Sequence, residues 1–589
     1  MQQKWVVKNK KADFDAICKE HDITEVTARL LVNRGLTTKE ERDAFLHPSL
    51  SALIGPERLK NAMLAAGMLK EDMEAGRNIR IIGDYDVDGI AAVYLLYRTL
   101  KAAGAKVDYR IPDRIRDGYG MNTEMVEESV RDGIHTILTC DNGIAAMEPI
   151  RMAKEAGIRV VLTDHHEVPV EETESGVRQV LPPADVVVNP KQDDETTEFP
   201  GICGALVAYK VMLCLAKQVG LSDAFMQSLL PYVAMATVCD VMELRGENRA
   251  VVALGLQGMK TCLDYGINAL IEANQLSKEN LSGYHFGFVL GPCLNASGRL
   301  DTAEKGLALL LAETPEAAAA LAKEVTELNA VRKDMTMKYV KECRDYFASQ
   351  KVLDPVLVAY LPECHESLAG IIAGRVREQF YRPTIVLTDA EEGCKGSGRS
   401  IDGYHMYEAL CECKDLLTKF GGHPKAAGLS LPKENVEAFR KRLIENCKLT
   451  EEDLTEKISI DVVLPFGLVT ERVIDELAML EPFGTGNEKP LFAERNLKVK
   501  KAMVLGKNAN VLKLQVENEY GRQFDTMYFG DIEEFNQSVL MAFGEPELDR
   551  MYQGRENAVR FSMIYYPDKN EFRGNVTLQA VMRDYRMSL

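Results

Sequence analysis

The sequence lacks the features that would take a protein into or across a membrane. Its 589 residues contain no uncharged apolar run of about eighteen residues, the length that a membrane-spanning helix needs. The opening stretch, MQQKWVVKNKK, also lacks the apolar core of a secretory signal. We therefore expect a cytoplasmic protein without a membrane partner.

Cysteines in the spacing of a zinc site or a disulfide framework are also missing. The thirteen cysteines are an odd number with irregular spacing. The close pair Cys411 and Cys413 has no second pair that would complete a zinc knuckle. We therefore predict reduced thiols.

A net basic charge, the usual sign of nucleic-acid binding, is absent as well. The formal net charge of the chain is −18, which argues against a phosphate-rich partner. The objection weakens if the acids cluster around bound cations, or if one groove is basic while the remaining surface is acidic. Charge alone therefore leaves a nucleic-acid partner open.

The pattern of apolar runs predicts several domains. From about residue 75 to 190, short apolar strands alternate with amphipathic helices, which indicates an α/β domain with a parallel sheet. Thr314 and Pro315 open a long helix as cap and first residue. The predicted segments are an N-terminal segment packing on the core (1–74), an α/β domain (75–312), a connecting helix (313–350), a second α/β domain (351–452) and a small β-barrel (453–589).

Three carboxylates follow the first predicted strand. Asp84, Asp86 and Asp88 alternate directly after the apolar run, so their side chains could converge at the carboxyl end of the strand, where α/β sheets place ligands. A solvated acidic turn and a calcium loop of the EF-hand type are the alternatives. The calcium loop fails because its twelfth position, which needs a bidentate Glu, is Leu95.

The next two predicted strands end in a similar way. One is followed by Asp141, and the other by Asp164, His165 and His166. Each is a weak signal alone, since Asp after a strand is an ordinary turn residue. Together they crowd carboxylates at one edge, where divalent cations would relieve the repulsion. Carboxylate and imidazole donors without thiolate favour two Mn²⁺ or Mg²⁺ ions, and such a pair activates water for phosphoester hydrolysis.

These residues, in this order, resemble the DHH phosphoesterase superfamily. Within it the chain is most similar to the RecJ family, which has Asp at the position of Asp84 where other members begin the motif with His. The similarity covers nearly the whole chain and includes the stretches 111–120, 188–192, 203–205 and 236–249. The fold that it implies is α/β, with a parallel-sheet DHH phosphoesterase domain, a long connecting helix, a second α/β DHH-associated domain that binds substrate, and a C-terminal OB-like β-barrel.

The resemblance implies a centre of two metal ions bridged by one carboxylate. The residues implied for one ion are Asp84, Asp86 and Asp141. The residues implied for the other ion are Asp88, Asp141, His165 and Asp240. The catalytic residues implied are Asp141 as the bridge, His166 as a contact of the scissile phosphate or the leaving oxygen, and Asp164 as the group that orients a metal-bound histidine.

The resemblance also implies a set of residues that bind substrate. They are Arg114, Arg299, Ser397, Arg399, Gly421, Gly422 and His423. Arg114, Ser397 and Arg399 are expected at a terminal 5′-phosphate, because a guanidinium fork suits a phosphate dianion. Without the resemblance, Arg299 would be interpreted as a surface residue after a capped turn and the glycines as a tight loop.

Four positions depart from the pattern of the family. Ser367, Leu368 and Ala369 stand where the family usually has Gly, Val and Ile, and Gly398 replaces a common Ala. These departures bear on the contacts to substrate. They leave the predicted metal ligands intact.

The module after about residue 455 distinguishes the RecJ family from shorter members that act on cyclic dinucleotides or very short RNAs. OB-folds bind single strands with a basic groove and aromatic stacking platforms. The candidates here are Lys498, Lys500, Lys501, Lys507, Lys513, Tyr520, Phe524, Tyr528 and Phe529. The alternative is that these aromatics are core residues of the barrel and that the lysines face water.

The implied function is that of a 5′-to-3′ exonuclease, which hydrolyses single-stranded DNA to 5′-mononucleotides in DNA repair and recombination with two Mn²⁺ or Mg²⁺ ions. The implied partners are single-stranded DNA with a 5′ end, a RecQ-type helicase and a single-stranded-DNA-binding protein. One alternative is a phosphodiesterase for short oligoribonucleotides or cyclic dinucleotides. Another is a DNA-end-binding scaffold with weak catalysis, against which the complete set of six expected ligands argues.

Overall fold

The computed structural model describes residues 3–173, 176–195, 197–506, 508–572 and 575–588. The chain forms two compact units, which are Leu50–Glu456 and, together, Gln3–Ser49 and Lys457–Leu589. In the ranges described, no helix is long and apolar enough to cross a membrane. All thirteen cysteines are free, as predicted.

The N-terminal elements belong to the unit that contains the C-terminal barrel. They are β1 (Lys4–Val7), α1 (Phe14–His21), α2 (Glu25–Asn33) and α3 (Lys39–Leu46). Leu30 of α2 is buried in one apolar cluster with barrel residues such as Phe492, and the hydroxyl of Thr27 donates a hydrogen bond of 2.6 Å to the carboxylate of Glu476.

The structure therefore divides the segment that the sequence predicted as one piece, 1–74. Residues from Leu50 onward pack with the large unit, whereas Gln3–Ser49 pack with the barrel. The physical reason is that the apolar faces of α1, α2 and α3 are buried against residues more than four hundred positions away in sequence. The other predicted boundaries stay predictions.

The first domain of the large unit is built on a parallel sheet. Its elements are α4 (Ala62–Glu74), β2 (Asn78–Ile82), α5 (Val87–Ala102), β3 (Lys106–Arg110), α6 (Thr123–Arg131), β4 (Thr136–Cys140), α7 (Met147–Glu155), β5 (Arg159–Thr163), β6 (Val170–Thr173), β7 (Gly176–Gln179) and β8 (Val186–Val188). The sheet has the order β3-β2-β4-β5-β8 and every pairing in it is parallel. β6 and β7 form a separate hairpin.

The order of this sheet determines where a ligand can bind. β2, β4 and β5 are almost wholly buried apolar runs, as expected for strands with both faces covered. The chain runs from β2 to β3 on one side and then to β4 on the other. The strand order therefore reverses between β2 and β4, and α/β sheets bind ligands at the carboxyl ends of strands at such a point.

Helices complete this domain and lead out of it. They are α8 (Gly204–Val219), α9 (Asp223–Cys239), α10 (Gly246–Thr261), α11 (Tyr265–Ala273), α12 (Gly283–His285), a π-helical turn (Phe286–Leu290), α13 (Gly291–Leu300), α14 (Glu304–Leu310) and the connecting helix α15 (Pro315–Ala348). The hydroxyl of Thr314 accepts a hydrogen bond from the backbone N–H of Ala317 at 3.3 Å. This is the cap that the sequence predicted.

The second domain of the large unit is a mixed α/β fold. Its elements are β9 (Leu357–Tyr360), α16 (Ala369–Phe380), β10 (Thr384–Asp389), β11 (Cys394–Arg399), α17 (Met406–Cys411), β12 (Lys419–Gly422), β13 (Ala426–Leu431) and α18 (Val436–Asn446). The sheet has the order β12-β13-β11-β10-β9. Only β9 and β10 pair in parallel among these strands.

The C-terminal residues form a closed barrel with three helices. The elements are β14 (Lys457–Ile460), β15 (Val462–Val463), α19 (Glu471–Ala478), β16 (Phe492–Leu505), β17 (Val511–Glu517), β18 (Gln523–Tyr528), α20 (Ile532–Phe543), α21 (Glu545–Gln553), β19 (Arg560–Phe572) and β20 (Asn575–Met587). The barrel closes because β16 pairs with both β17 and β19. The predicted fold class, from the parallel sheet through the long helix to the barrel, is confirmed.

Candidate metal centre and phosphate pocket

The loop after β2 and the first turn of α5 hold three of the predicted metal ligands. Oδ1 of Asp86 caps α5, because it accepts hydrogen bonds from the backbone N–H groups of Asp88 at 2.9 Å and Gly89 at 3.2 Å. A Cβ at Gly89 would lie 2.5 Å from the backbone oxygen of Asp84. The tight turn therefore requires glycine, and within it Asp84 and Asp88 are buried.

The other predicted ligands lie at the ends of two strands and one helix. Asp141 follows β4 with a left-handed backbone, φ 60°, which Asp tolerates better than most residues. His165 lies two residues beyond the end of β5. Asp240 is the C-cap of α9, so a helix rather than the sheet brings it to the cluster.

The structure brings all six predicted metal ligands together. Their ligand atoms form three overlapping groups, and within each group the atoms lie within 4.8 Å of one another. The groups are Asp84, Asp86 and Asp141; Asp88, His165 and Asp240; and Asp141, His165 and His166. Asp141 belongs to two of the groups, which is the geometry that a bridging ligand needs. His166, which the sequence did not assign as a ligand, belongs to the third.

His165 presents an unprotonated nitrogen to the carboxylates. Its Nδ1 lies 3.0 Å from the backbone oxygen of Ile202, and because a carbonyl only accepts, Nδ1 carries the proton. Burial lowers the pKa of His165 and so favours the neutral ring. The lone pair of Nε2 then faces Oδ1 of Asp141 at 3.1 Å and oxygens of Asp88 and Asp240 at 3.7 Å. Converging lone pairs of this kind are a site for a cation.

Three oxygens of the cluster are buried without a hydrogen-bond partner. They are Oδ1 of Asp84, Oδ1 of Asp141 and Oδ2 of Asp240. Burial, followed by the neighbouring carboxylates, raises the pKa of each of these groups. A divalent cation would offset both the cost of burying these charges and the repulsion between them. The residues therefore fit the predicted Mn²⁺ or Mg²⁺ ions, which accept carboxylate and imidazole donors.

His166 and Asp164 form a pair beside this cluster. Oδ1 of Asp164 lies 2.8 Å from Nδ1 of His166. Burial, the largest influence, lowers the pKa of His166, but the hydrogen bond to Asp164 and the surrounding carboxylates together raise it to about 9. Asp164 thus holds the ring of His166, while a backbone carbonyl holds the ring of His165. The role of Asp164 in orienting a metal-bound histidine stays a prediction.

Tyr119 is a residue of this site to which the sequence gave no role. Its hydroxyl donates a hydrogen bond of 2.7 Å to the backbone carbonyl of Asp141 and lies 3.1 Å from both ring nitrogens of His166. It belongs to the stretch 111–120, which carried the resemblance, but it lies in a loop without a periodic pattern. Position in a strand or helix could not have singled it out.

The first turn of α8 fixes the carboxylate of Asp88. The backbone N–H groups of Gly204 and Ala205 donate to its two oxygens at 2.7 and 2.8 Å, an arrangement that the dipole of the helix favours. A Cβ at Gly204 would lie 2.7 Å from Cβ of Asp141 and 2.8 Å from its Oδ1. The helix can approach the cluster only because this residue is glycine.

A cavity of about 510 Å³ adjoins the cluster and is lined by both domains of the large unit. Arg114 lines it with its guanidinium carbon 3.9 Å from the ring centre of Tyr85. Gly421 also lines it, whereas Gly422 and His423 are exposed and lie outside the lining. Lining residues that the sequence did not predict include Lys395 and Lys419.

Arg299 joins the two domains at this cavity. Its Nη1 donates a hydrogen bond of 2.6 Å to the backbone carbonyl of Ser367, and the hydroxyl of Ser367 donates one of 3.2 Å to the carbonyl of Arg299. Burial, followed by the charges of Arg114 and Arg332, lowers the pKa of Arg299 to about 9. The departure from the family pattern at Ser367 therefore adds a hydrogen bond to a predicted phosphate ligand.

Arg399 and Ser397 lie on β11 and contact each other. Nη1 of Arg399 donates to Oγ of Ser397 at 3.0 Å and to the carbonyl of Gly398 at 2.8 Å. Burial, followed by the charge of Arg377, lowers the pKa of Arg399. A Cβ at Gly398 would lie 2.9 Å from the sulfur of Met406, so the Ala that is common in the family would require that flexible side chain to move.

The predicted phosphate ligands have no carboxylate partner. Within the described ranges, Arg114, Arg299 and Arg399 form no ion pair, and Nε of Arg114 is buried without a hydrogen bond. Partly buried guanidinium groups without a counter-charge favour an anion. The described part of the large unit thus presents arginines that form no ion pair, in a chain with a net charge of −18.

The barrel divides the predicted nucleic-acid contacts into two kinds. Phe524 and Tyr528 are buried in its core, whereas Tyr520 and Phe529 are exposed. Three of the predicted lysines form ion pairs with acidic side chains, and they are Lys498, Lys500 and Lys513. Lys513, for example, lies 2.7 Å from a carboxylate on a neighbouring strand. Lys501 is exposed. Lys507 lies outside the described residues.

Family profiles match three parts of the chain. The DHH family, N-terminal domain, matches residues 78–237, the DHHA1 domain matches 353–449, and the RecJ OB domain matches 460–584. The matches coincide with the parallel-sheet domain, the second α/β domain and the barrel.

Two curated relatives are similar over most of the chain. The chain is 34% identical over 538 residues to the single-stranded-DNA-specific exonuclease RecJ of Bacillus subtilis (strain 168), covering 90% of this chain and 66% of that protein. It is 32% identical over 564 residues to the protein of the same name from Haemophilus influenzae (strain Rd), covering 92% of this chain and 93% of that one. The chain belongs to the RecJ family.

A solved RecJ structure has the same fold. The crystal structure of RecJ from Thermus thermophilus in complex with Mn²⁺ superimposes with a TM-score of 0.80 at 27% identity, covering 99% of this chain and 79% of that one. The same protein was also solved with Mg²⁺. These are the two ions that the donor atoms of the cluster favour.

Proposed function

We propose that this chain is a metal-dependent exonuclease that hydrolyses single-stranded DNA from its 5′ end and releases 5′-mononucleotides. One observation carries the proposal: six metal-binding side chains converge at the switch point of the parallel sheet, near a pocket lined by Arg114, which has no carboxylate partner among the described residues. The names of its relatives in the RecJ family support the choice of single-stranded DNA.

The 5′ polarity follows from the position of the basic pocket. Arg114, Arg299 and Arg399 bind the terminal phosphate as a dianion, since guanidinium groups give it both charge and directed hydrogen bonds. The next phosphodiester is then held at the metal cluster. Each cycle removes one nucleotide, because the pocket fixes the distance from the chain end to the reacting phosphorus.

The residues of the cluster have distinct tasks in this proposal. Asp84, Asp86, Asp88, His165 and Asp240 hold the ions, and Asp141 bridges them. The two ions supply Lewis acidity and activate water for attack on phosphorus.

His166 carries the proton of this proposed reaction. With a pKa raised to about 9, its ring is protonated at neutral pH and can contact the phosphate or stabilise the leaving oxygen. Asp164 keeps that proton in place through the hydrogen bond to Nδ1.

The proposal extends to the cellular setting. A single-strand-specific enzyme needs unpaired strands, which a helicase of the RecQ type would open and a single-stranded-DNA-binding protein would hold. The proposal includes a cytoplasmic location and a role in DNA repair and recombination. A helicase that produces a 5′ single strand should therefore accelerate degradation of a blunt duplex that the enzyme alone cleaves slowly.

The experiment uses the full chain with Mn²⁺ and four substrates. They are 5′-phosphorylated single-stranded DNA, the same strand labelled at its 3′ end, the matching duplex, and RNA of the same sequence. We expect mononucleotides from the 5′ end of the single strand and slow cleavage of the duplex. Asp141→Ala should lower activity at least about 1000-fold, equivalent to about 4 kcal/mol of barrier.

Asp549→Ala, an exposed acid on a helix of the barrel unit, is the matched control and should retain activity. Faster cleavage of RNA than of DNA would show that the substrate is wrong. Metal-dependent activity in Asp141→Ala would show that the bridge is wrong.

A further inference from the structure

An exposed aromatic pair lies near the metal cluster and has no part in the function proposed above. Tyr284 and Phe288 are 62% and 60% exposed. Their rings stack on each other with centroids 5.2 Å apart and an interplanar angle of 23°. Large aromatic side chains that remain together in solvent mark a binding surface more often than isolated ones do.

The pair is held by an unusual piece of helix. Tyr284 belongs to α12, and Phe288 belongs to the π-helical turn Phe286–Leu290 that precedes α13. Residues four apart on a helix share one face, which is why the two rings meet. Single π-helical turns are rare and occur frequently at functional sites.

The backbone of this turn packs on the helix that carries a metal ligand. The thiol of Cys239 donates to the carbonyl of Phe286 at 3.4 Å. A Cβ at Gly287 would lie 3.3 Å from Cγ1 of Val238. Val238 and Cys239 are the two residues before Asp240. The π-helical turn that positions the aromatic pair therefore also supports the last turn of α9, directly before that ligand.

Val241, directly after the ligand, is a second exposed apolar feature of this region. It is 64% exposed and has a left-handed backbone with φ 59°. This conformation is strained for a β-branched residue and persists where the surrounding structure imposes it. The ligand Asp240 is therefore followed directly by an exposed apolar residue.

Arg299 lies farther along the same run of helix, in α13. A Cβ at Gly298 would lie 2.8 Å from the backbone oxygen of Tyr85, which places Arg299 next to the loop of Asp84 and Asp86. From Phe288 to Arg299 the helix advances by eleven residues, or roughly 16 Å. That length corresponds to about five stacked nucleotides at 3.4 Å each.

We propose that Tyr284 and Phe288 form a stacking platform for nucleobases on the 3′ side of the scissile bond. The inference rests on the proposed function, because a strand with its 5′-phosphate in the pocket passes the cluster before it reaches the pair. Aromatic faces stack on any base and require that the base be unpaired. The platform thus favours long single strands over duplexes without reading sequence.

The test compares strands that reach the platform with strands that do not. The variants are Tyr284→Ala, Phe288→Ala and the double variant, with Leu263→Ala, 87% exposed in the same unit, as matched control. On a 5′-phosphorylated twelve-nucleotide strand, KM should rise about 5- to 150-fold in each single variant, the range for loss of one aromatic stacking contact, while kcat changes far less. On a dinucleotide the rise in KM should be at least fivefold smaller. This dependence on length is not expected from a structural defect.

Two further measurements separate stacking from other effects. Tyr284→Phe and Phe288→Tyr should keep KM close to that of the wild type, because each retains an aromatic face. A 2-aminopurine base moved along the strand should show quenched fluorescence at the positions that contact the platform, and Tyr284→Ala should restore the fluorescence there.

The possible outcomes separate the two proposals. If the wild-type chain does not degrade single-stranded DNA, the proposed function fails and the platform fails with it. If the wild type is active and the alanine variants bind long strands as tightly as Leu263→Ala does, only the platform is refuted. An equal rise in KM on the dinucleotide and the long strand would also refute it.

Discussion

Asp164 and His166 form a carboxylate–imidazolium pair, with Oδ1 and Nδ1 2.8 Å apart. The hydrogen bond from His166 and the N–H groups around Asp164 outweigh burial and lower the pKa of Asp164. The pKa of His166 is raised to about 9. Both groups are therefore charged at neutral pH, and each sets the protonation state of the other.

Replacing the carboxylate should shift the pH dependence of the reaction. In the wild type, His166 stays protonated up to about pH 9, so kcat should fall only above that value. In Asp164→Asn the main group that raises the pKa is gone while burial still lowers it, so the fall in kcat should move to lower pH. The measurement is kcat against pH from 6 to 10. His166→Ala should lack this step, and an unshifted step in Asp164→Asn would contradict the assignment.

Removing metal should destabilise the large unit more at neutral than at acid pH. The buried carboxylates of Asp84, Asp141 and Asp240 have raised pKa values in the folded state, so above about pH 4 the folded chain binds more protons than the unfolded chain and loses stability as pH rises. Mn²⁺ at a hundred times its Kd should add about 2.7 kcal/mol. Thermal unfolding with Mn²⁺ and with EDTA, at pH 5 and 7.5, measures the difference.

Asp141→Asn provides the control for that experiment. Because it removes a buried charge, the metal-free variant should unfold at a higher temperature than the metal-free wild type at pH 7.5. Equal unfolding temperatures would mean that repulsion within the cluster is not the cause.

Alanine substitutions at two glycines of α16 distinguish the loss of a contact with Arg399 from a general effect on the helix. A Cβ at Gly370 would lie 2.7 Å from Nη2 of Arg399 and 3.0 Å from Oγ of Ser397, whereas nothing lies within 4 Å of a Cβ at Gly374. Gly370→Ala should therefore displace the guanidinium and raise KM for 5′-phosphorylated strands about tenfold, or about 1.4 kcal/mol. Gly374→Ala should leave KM unchanged and stabilise the helix by about 1 kcal/mol. Steady-state kinetics with and without the 5′-phosphate distinguish the two, and similar KM values for both variants would argue against the contact.

A second glycine pair tests the support of the metal ligands. Gly204→Ala would place a methyl group 2.7 Å from Cβ of Asp141 and shift the N–H groups that bind Asp88. The affinity for Mn²⁺ should fall about 10- to 100-fold, the usual effect of losing a group that holds a ligand. Gly201→Ala, where nothing lies within 4 Å, should retain the wild-type affinity. Calorimetric titration with Mn²⁺ gives both constants, and equal values would refute the role of Gly204.

The sequence predicted the parts of the site that follow strands. In a parallel sheet the carboxyl ends of strands share one edge, so the apolar runs before Asp84, Asp141 and Asp164 were enough to predict that these side chains meet. Asp240 could not be found in this way, because it ends a helix and reaches the cluster only through packing. Resemblance to a family supplied it.

Contacts distant in sequence account for most of what pattern alone missed. The buried face of α2 shows that residues near Leu30 need a partner, but nothing in that face identifies the barrel as the partner. The aromatic residues of the barrel were equally ambiguous: Phe524 stacks on Phe466 with centroids 4.1 Å apart in the core, while Phe529 is exposed. An alternating strand pattern gives the face of a residue only when the direction of the core is known.

The shared unit of Gln3–Ser49 and the barrel has a consequence for synthesis of the chain. These N-terminal helices leave the ribosome before any of the residues that cover their apolar faces, which begin at Lys457. At about 5 to 20 residues per second, the intervening stretch of about four hundred residues takes roughly 20 to 80 seconds to translate. During that interval the large unit can fold while the other unit, whose two sequence segments flank it, is still incomplete. The exposed apolar faces of the N-terminal helices are then a natural target for a chaperone.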